Sequence, residues 1–169
     1  MTILNVVTEP ADVLLAKAKP VKKFDKKLHT LLDDMYETMV ESEGVGIAAP
    51  QVNESIQAVI VLLNVDSEDE EDERLELINP EIVEFSVDTN VDLEGCLSIP
   101  EKFGDVERSN GVRVEFQDRF GDTYKLEAYN YDARIIQHEI DHLNGVLFTT
   151  KAVKMYTDEE MAEMYGEEE

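Results

Sequence analysis

Hydrophobic positions follow three different rhythms along this chain. Between Asp25 and Val40, Leu28, Leu31, Leu32, Met35 and Met39 recur at three- and four-residue intervals, which predicts an amphipathic helix with one buried stripe. His29 lies off that stripe and is expected at the surface. Gln57 to Leu63 and Leu75 to Phe85 read as strands. From Gly111 the period becomes two, with Val112, Val114 and Phe116 alternating with Arg113, Glu115 and Gln117. A turn at Asp118-Arg119-Phe120-Gly121-Asp122 then leads to Tyr124, Leu126 and Ala128, so this stretch predicts a β-hairpin. A last helix is predicted from Asp132 to Leu143, stopped by the capping pair Asn144-Gly145. No internal repeat is visible, and strands surrounding a few helices make the fold class α+β.

Composition bounds what such a fold can do. A chain of 169 residues, 43% of them hydrophobic, fits one domain over residues 1–169 with a real core. Charge alters the picture: 15 basic against 39 acidic residues leave a net −24, so direct nucleic-acid binding through a basic surface is not expected. The acid concentrates in a loop, 66–74, between two strand signals, and in a tail, 157–169. Both read as solvated segments. In the tail, Thr157-Asp158-Glu159-Glu160 can start a short helix with acids at its positive end. The single cysteine excludes an internal disulfide framework. The longest apolar stretch, Ala58 to Leu63, is far below the ~20 residues of a membrane span, and no secretory signal is visible. A cytoplasmic protein with no membrane association is expected.

The informative residues lie in the last predicted helix, at His138-Glu139-Ile140-Asp141-His142. Positions four apart share one helix face, so two imidazoles can point at one ion, and Glu139 can reach a water held there. Ile135, Ile136, Ile140 and Leu143 make this helix apolar and therefore buried. Histidines and carboxylates on a buried helix are costly unless compensated, and a metal compensates them directly. A third protein ligand is required. The long zinc-protease pattern would place a histidine at 148, where Phe148 cannot bind metal. Glu160 and Glu163 downstream, and the soft ligand Cys96 upstream, stay open as the third.

Two further segments narrow the choice. Gly44-Val45-Gly46-Ile47-Ala48-Ala49-Pro50-Gln51 combines small residues, which allow close backbone approach, with an amide able to donate to a developing oxyanion. Cys96 sits in Glu94-Gly95-Cys96-Leu97-Ser98. Together the three segments, G-x-G-x-A-A-x-Q, E-G-C-L-S and Q-H-E-x-D-H, in this order and spacing, resemble the peptide deformylase family. The resemblance runs from the N-terminal Ile-Leu segment through Phe148 and includes Leu77-Ile78-Asn79-Pro80.

That resemblance implies antiparallel β-sheets packed around a central buried helix. It implies removal of the formyl group from N-formylmethionyl nascent peptides, with release of formate, by hydroxide on a metal. Cys96, His138 and His142 would hold one divalent cation, physiologically Fe2+, with Zn2+ or Ni2+ as other occupants. Glu139 would be the acid/base, Gln51 and the Leu97 N–H the oxyanion donors, and Gly46 a backbone contact for the peptide. Val45, Tyr131, Ile135 and the stem of Arg134 are expected to line the methionine pocket, and Glu94 to stand beside it, paired with Arg108, holding the ligand strand. Two other functions share these motifs: an amidase or paralogue acting on another N-acyl group, and a degenerate metal- or peptide-binding homologue. Many family members end in a basic helix associated with ribosome docking. The acidic tail departs from that pattern, so a transient ribosome contact through it is doubtful.

Overall fold

The computed structural model describes residues 2–165; the end of the acidic tail, 166–169, lies outside the described residues. Helix α1 (Lys26–Glu41) starts where its stripe predicts, because the Asp25 carboxylate accepts the Leu28 N–H at 3.1 Å and caps the first turn. Leu28, Leu32, Met35 and Met39 form its buried face. His29 is half-buried rather than on the surface: its Nε2 lies 2.8 Å from the Arg119 carbonyl oxygen, across the turn of the predicted hairpin.

The strands are β1 (Gly46–Ala48), β2 (Ala58–Leu63), β3 (Glu73–Phe85), β4 (Thr89–Cys96), β5 (Ile99–Ser109), β6 (Gly111–Gln117), β7 (Thr123–Tyr129) and β8 (Ala152–Thr157). Five form one antiparallel sheet in the order β1-β2-β3-β6-β7, and three form a second, β4-β5-β8. Strand β2 is apolar throughout because both of its faces are covered. Val59, Val61 and Leu63 face helix α2 (Asn130–Leu143), while Ala58, Ile60 and Leu62 face α1. The predicted hairpin is present as β6–β7, pairing Val114 with Leu126 and Phe116 with Tyr124. A third cluster, with Leu14, Ile99, Val106, Leu147 and Phe148, packs under the smaller sheet.

Helix α2 lies between the two sheets, with Ala133, Ile136, Ile140 and Leu143 packed on the larger one. It begins at Asn130, two residues before the predicted Asp132, whose carboxylate instead accepts the Asn64 N–H at 3.0 Å and ties the helix to the end of β2. Its C-terminus is the predicted cap. Gly145, with φ +73°, donates to His142, and Val146 donates to Asp141, the two hydrogen bonds of a Schellman ending. The acidic residues 66–74 are exposed, the last two of them already within β3. Helix α3 (Asp158–Tyr165) opens on a reciprocal box, Glu160 N–H to Thr157 Oγ1 at 3.1 Å and Thr157 N–H to Glu160 Oε1 at 3.3 Å. Among the described residues no helix is long and apolar enough to cross a membrane.

Gly145 fixes where α2 stops, and a Cβ there would lie 2.5 Å from the Leu15 carbonyl oxygen. Gly145→Ala is expected to cost about 1–3 kcal/mol, from the left-handed backbone and the clash, read as a lower urea midpoint with an unchanged slope. An unchanged midpoint would show that the cap does not hold the helix.

Candidate metal centre and active site

Helix α2 carries His138 and His142 one turn apart, ring centroids 5.1 Å from each other. Cys96 ends β4, and the pairing of Cys96 with Ile99 leaves only Leu97 and Ser98 to turn the chain. This tight turn brings the thiol to the helix, with Cys96 Sγ 3.3 Å from His142 Nε2. One donor atom from each of Cys96, His138 and His142 lies within 4.8 Å of the others. The alternative third ligands do not join them. Glu160 caps its own helix and Glu163 is exposed on α3. Phe148, where a third histidine would have stood, stacks beside the His138 ring at 6.0 Å.

Glu94, two residues before Cys96, is buried and fully engaged. Its Oε1 meets His138 Nδ1 at 2.8 Å and Arg108 Nη2 at 2.9 Å. Its Oε2 meets Arg108 Nε at 2.9 Å and Arg134 Nη1 at 2.6 Å. Because Nδ1 is held by this carboxylate, Nε2 is the His138 nitrogen left to ligate. Burial alone would raise the Glu94 pKa, but the hydrogen bonds from Arg108 and His138 outweigh it and hold the carboxyl down at about 2. The expected Glu94–Arg108 pair is therefore present, and Arg108 reaches on to Asp141 at 2.5 Å.

Glu139 is the opposite case. Burial pushes its carboxyl up to about 7, opposed by positive charge on His138. Its Oε1 is buried without a hydrogen-bond partner, as is Nδ1 of His142. The other oxygen packs against β1: a Cβ on Gly46 would lie 2.6 Å from Glu139 Oε2. Gly46 thus makes room for the carboxylate, a role for which the motif alone gave no sign. Gln51 is oriented by its own neighbours. Its Oε1 accepts the Ala48 N–H at 2.9 Å, which turns the amide NH2 toward Ser98 Oγ at 3.2 Å and Cys96 Sγ at 3.5 Å.

Glu139, Gln51, Cys96, His138 and Glu94 border a cavity of about 380 Å³, lined also by Gly46, Leu97, Val45, Tyr131, Ile135 and Arg134. Only the stem of Arg134 is available to the cavity as apolar wall, since its guanidinium is hydrogen-bonded inside the protein. Phe103 and Leu93 line the same space and were missed. Both belong to strands with no clean hydrophobic alternation.

The donor set fits a borderline divalent cation, with one soft sulfur and two imidazole nitrogens close enough to share it. From protein groups alone, burial opposes protonation of His138, but Cys96 and Glu94 outweigh it and draw a proton onto the ring. Burial and that positive neighbour keep His142 neutral, its pKa down at about 3. Cys96, His138 and His142 would hold such a cation as deprotonated ligands, with release of any proton they carry.

A family model described as polypeptide deformylase matches residues 3–158. Peptide deformylase 1 of Bacillus subtilis (strain 168) is 48% identical over 166 residues, spanning 98% of this chain and 100% of that protein. Among solved structures, a Met-Ala-Ser-bound class I type b peptide deformylase from Acinetobacter baumannii is 39% identical with a TM-score of 0.82, covering 88% of this chain and 98% of that one. The peptide deformylase of Thermotoga maritima is 39% identical with a TM-score of 0.83, covering 91% and 100%.

Two outcomes are expected from the site geometry. Gly46→Ala should displace the Glu139 carboxylate and lower turnover on formyl-Met-Ala-Ser by roughly 100-fold, with bound metal unchanged, since a displacement of about 1 Å is enough for such a loss; wild-type turnover would contradict this. In the metal-free protein the folded Glu94 carboxyl titrates at about 2 against an ordinary 4.5, so its stabilisation is complete above 4.5 and is lost as pH falls toward 2. Glu94→Gln should be less stable than wild type in urea at pH 7, with the gap closing over that acid range. A constant gap would rule the coupling out.

Proposed function

Because the chain belongs to the peptide deformylase family, whose members remove the N-terminal formyl group from nascent peptides, we propose that Cys96, His138 and His142 hold its divalent cation and that Glu139 moves the protons of the reaction. The observation that carries this reading is the convergence of one thiol and two imidazoles beside a buried carboxylate with a free oxygen. The protein is a hydrolase of formylated peptides. Residues 1–169 act as one catalytic domain in this reading.

A divalent cation in this site supplies Lewis acidity that brings the pKa of water toward neutrality. Glu139, with its carboxyl at about 7, takes the proton from the attacking water and later returns it to the departing amino group. Water oxygen bonds to the formyl carbon, the carbon–nitrogen bond breaks, and formate and a free amine leave. As the carbonyl oxygen gains charge, the Gln51 NH2 and the Leu97 N–H donate to it. Gln51 is suited to this because Ala48 already occupies its carbonyl oxygen, so the amide cannot flip without losing a hydrogen bond.

Peptide binding follows from the same walls. Among the described residues β1 is the end strand of its sheet, and its Gly46 lines the cavity, where an extended peptide can add alongside it. Val45, Tyr131, Ile135 and the Arg134 stem receive the methionine side chain, with Glu94 beside them in the cavity lining and held by its arginines. A formyl group presents a hydrogen where acetyl presents a methyl, and the space between Gly46 and the ligands favours the smaller group. Ferrous iron is the proposed cation in the cell, with zinc or nickel as alternative occupants. The proposed setting is the cytoplasm, where nascent chains emerge. The exposed acids of α3 disfavour contact with ribosomal RNA.

Protein purified anaerobically with iron should release formate from formyl-Met-Ala-Ser and no acetate from acetyl-Met-Ala-Ser. Gln51→Ala is expected to lower kcat by ~100-fold or more, the usual effect of losing one oxyanion donor. Glu139→Ala should keep one metal equivalent and lose turnover. Loss of metal from Glu139→Ala, or full turnover in Gln51→Ala, would overturn the assigned roles.

A further inference from the structure

We propose that Arg134 is a positioning residue for the metal centre, pinning Glu94 so that one carboxylate grips α2 at two successive turns. This rests on Cys96, His138 and His142 being the ligands. Arg134 and His138 are four residues apart and share a helix face. Both reach Glu94, Arg134 through Oε2 at 2.6 Å and His138 through Oε1 at 2.8 Å. The rest of the Arg134 guanidinium fastens the other side. Nη1 donates to the Val106 carbonyl at 2.8 Å, and Nη2 donates to the Asn90 carbonyl at 3.0 Å and to Asn90 Oδ1 at 2.7 Å. One side chain therefore joins α2 to β4, which carries Glu94 and Cys96, and to β5.

An apolar residue would serve as well if position 134 were only a wall of the cavity, and would avoid burying a cation that is 3% exposed. The charge has a specific direction. Arg108 is shared between Glu94 and Asp141, whereas the remaining partners of Arg134 are neutral carbonyls and an amide, so its charge falls on Glu94. With all four acceptor positions of Glu94 filled, the carboxylate cannot rotate, and the His138 ring cannot swing its Nε2 away from Cys96.

The test uses the full chain loaded with Co2+. Affinity is read by competition with a chromogenic chelator, and the Cys96 ligand by the sulfur-to-cobalt charge-transfer band. Arg134→Met keeps the stem and removes the fork. It should weaken Co2+ binding by roughly 10–100-fold and shift the band. Arg134→Lys, which restores charge without the fork, should recover part of the affinity. Binding by Arg134→Met within twofold of wild type overturns the proposal, as does an affinity loss that disappears once the folded fraction is counted. If Arg134→Met does not fold, Asn90→Ala, which removes one of the two acceptors of Nη2 and leaves the backbone carbonyl, should bind Co2+ more weakly than wild type, and equal binding overturns it. Wild type that takes up no Co2+, or a band indifferent to Cys96→Ser, would instead remove the ligand reading itself.

Discussion

Burial of polar groups on one helix is the constraint from which the site follows. Helix α2 lies between two sheets and must be apolar to lie there, yet it carries Arg134, Gln137, His138, Glu139 and His142 inside the protein. Each would be expensive to desolvate alone. Most are answered by protein: Gln137 by the backbone of Ser109 and Ala133, Arg134 and His138 by Glu94. The faces left unanswered, Glu139 Oε1 and His142 Nδ1, lie beside or within the cluster of Cys96, His138 and His142. Where the scaffold stops satisfying its own polar atoms, the chemistry begins.

The two carboxylates near the centre illustrate how environment divides one functional group into two roles. Glu94 is surrounded by cations and hydrogen-bond donors, stays ionised and cannot move. Glu139 is buried against the bare α-carbon of Gly46 with one oxygen unpartnered, and burial pushes its carboxyl up to about 7. Their pKa values separate because β4 brings Glu94 against Arg108 and His138, whereas Glu139 is buried with one oxygen unpartnered.

Much of this was legible in the sequence because its signals were periodic or chemically rare. The Met and Leu stripe of α1, the alternation of β6 and the Asn144-Gly145 stop each express one physical rule, and the described structure follows them closely. The smaller sheet was not legible. β4 and β5 turn Glu94 and Arg108 inward, where alternation rules expect apolar side chains, so the strands beside Cys96 are the ones whose pattern the site disrupts. Short β1 has only three residues and no period to detect. The packing of Glu139 against Gly46, and the second grip of Glu94 on Arg134, join residues separated by 93 and 40 positions, and nothing local announces either.

The account depends on sulfur and two imidazoles sharing one ion, and X-ray absorption at the edge of the bound metal observes that directly. With zinc loaded, the expected spectrum has one sulfur scatterer at about 2.3 Å and two imidazole nitrogens at about 2.0–2.1 Å, with the sulfur shell lost in Cys96→Ser. A wild-type metal ringed only by oxygen and nitrogen, unchanged by that substitution, would contradict it.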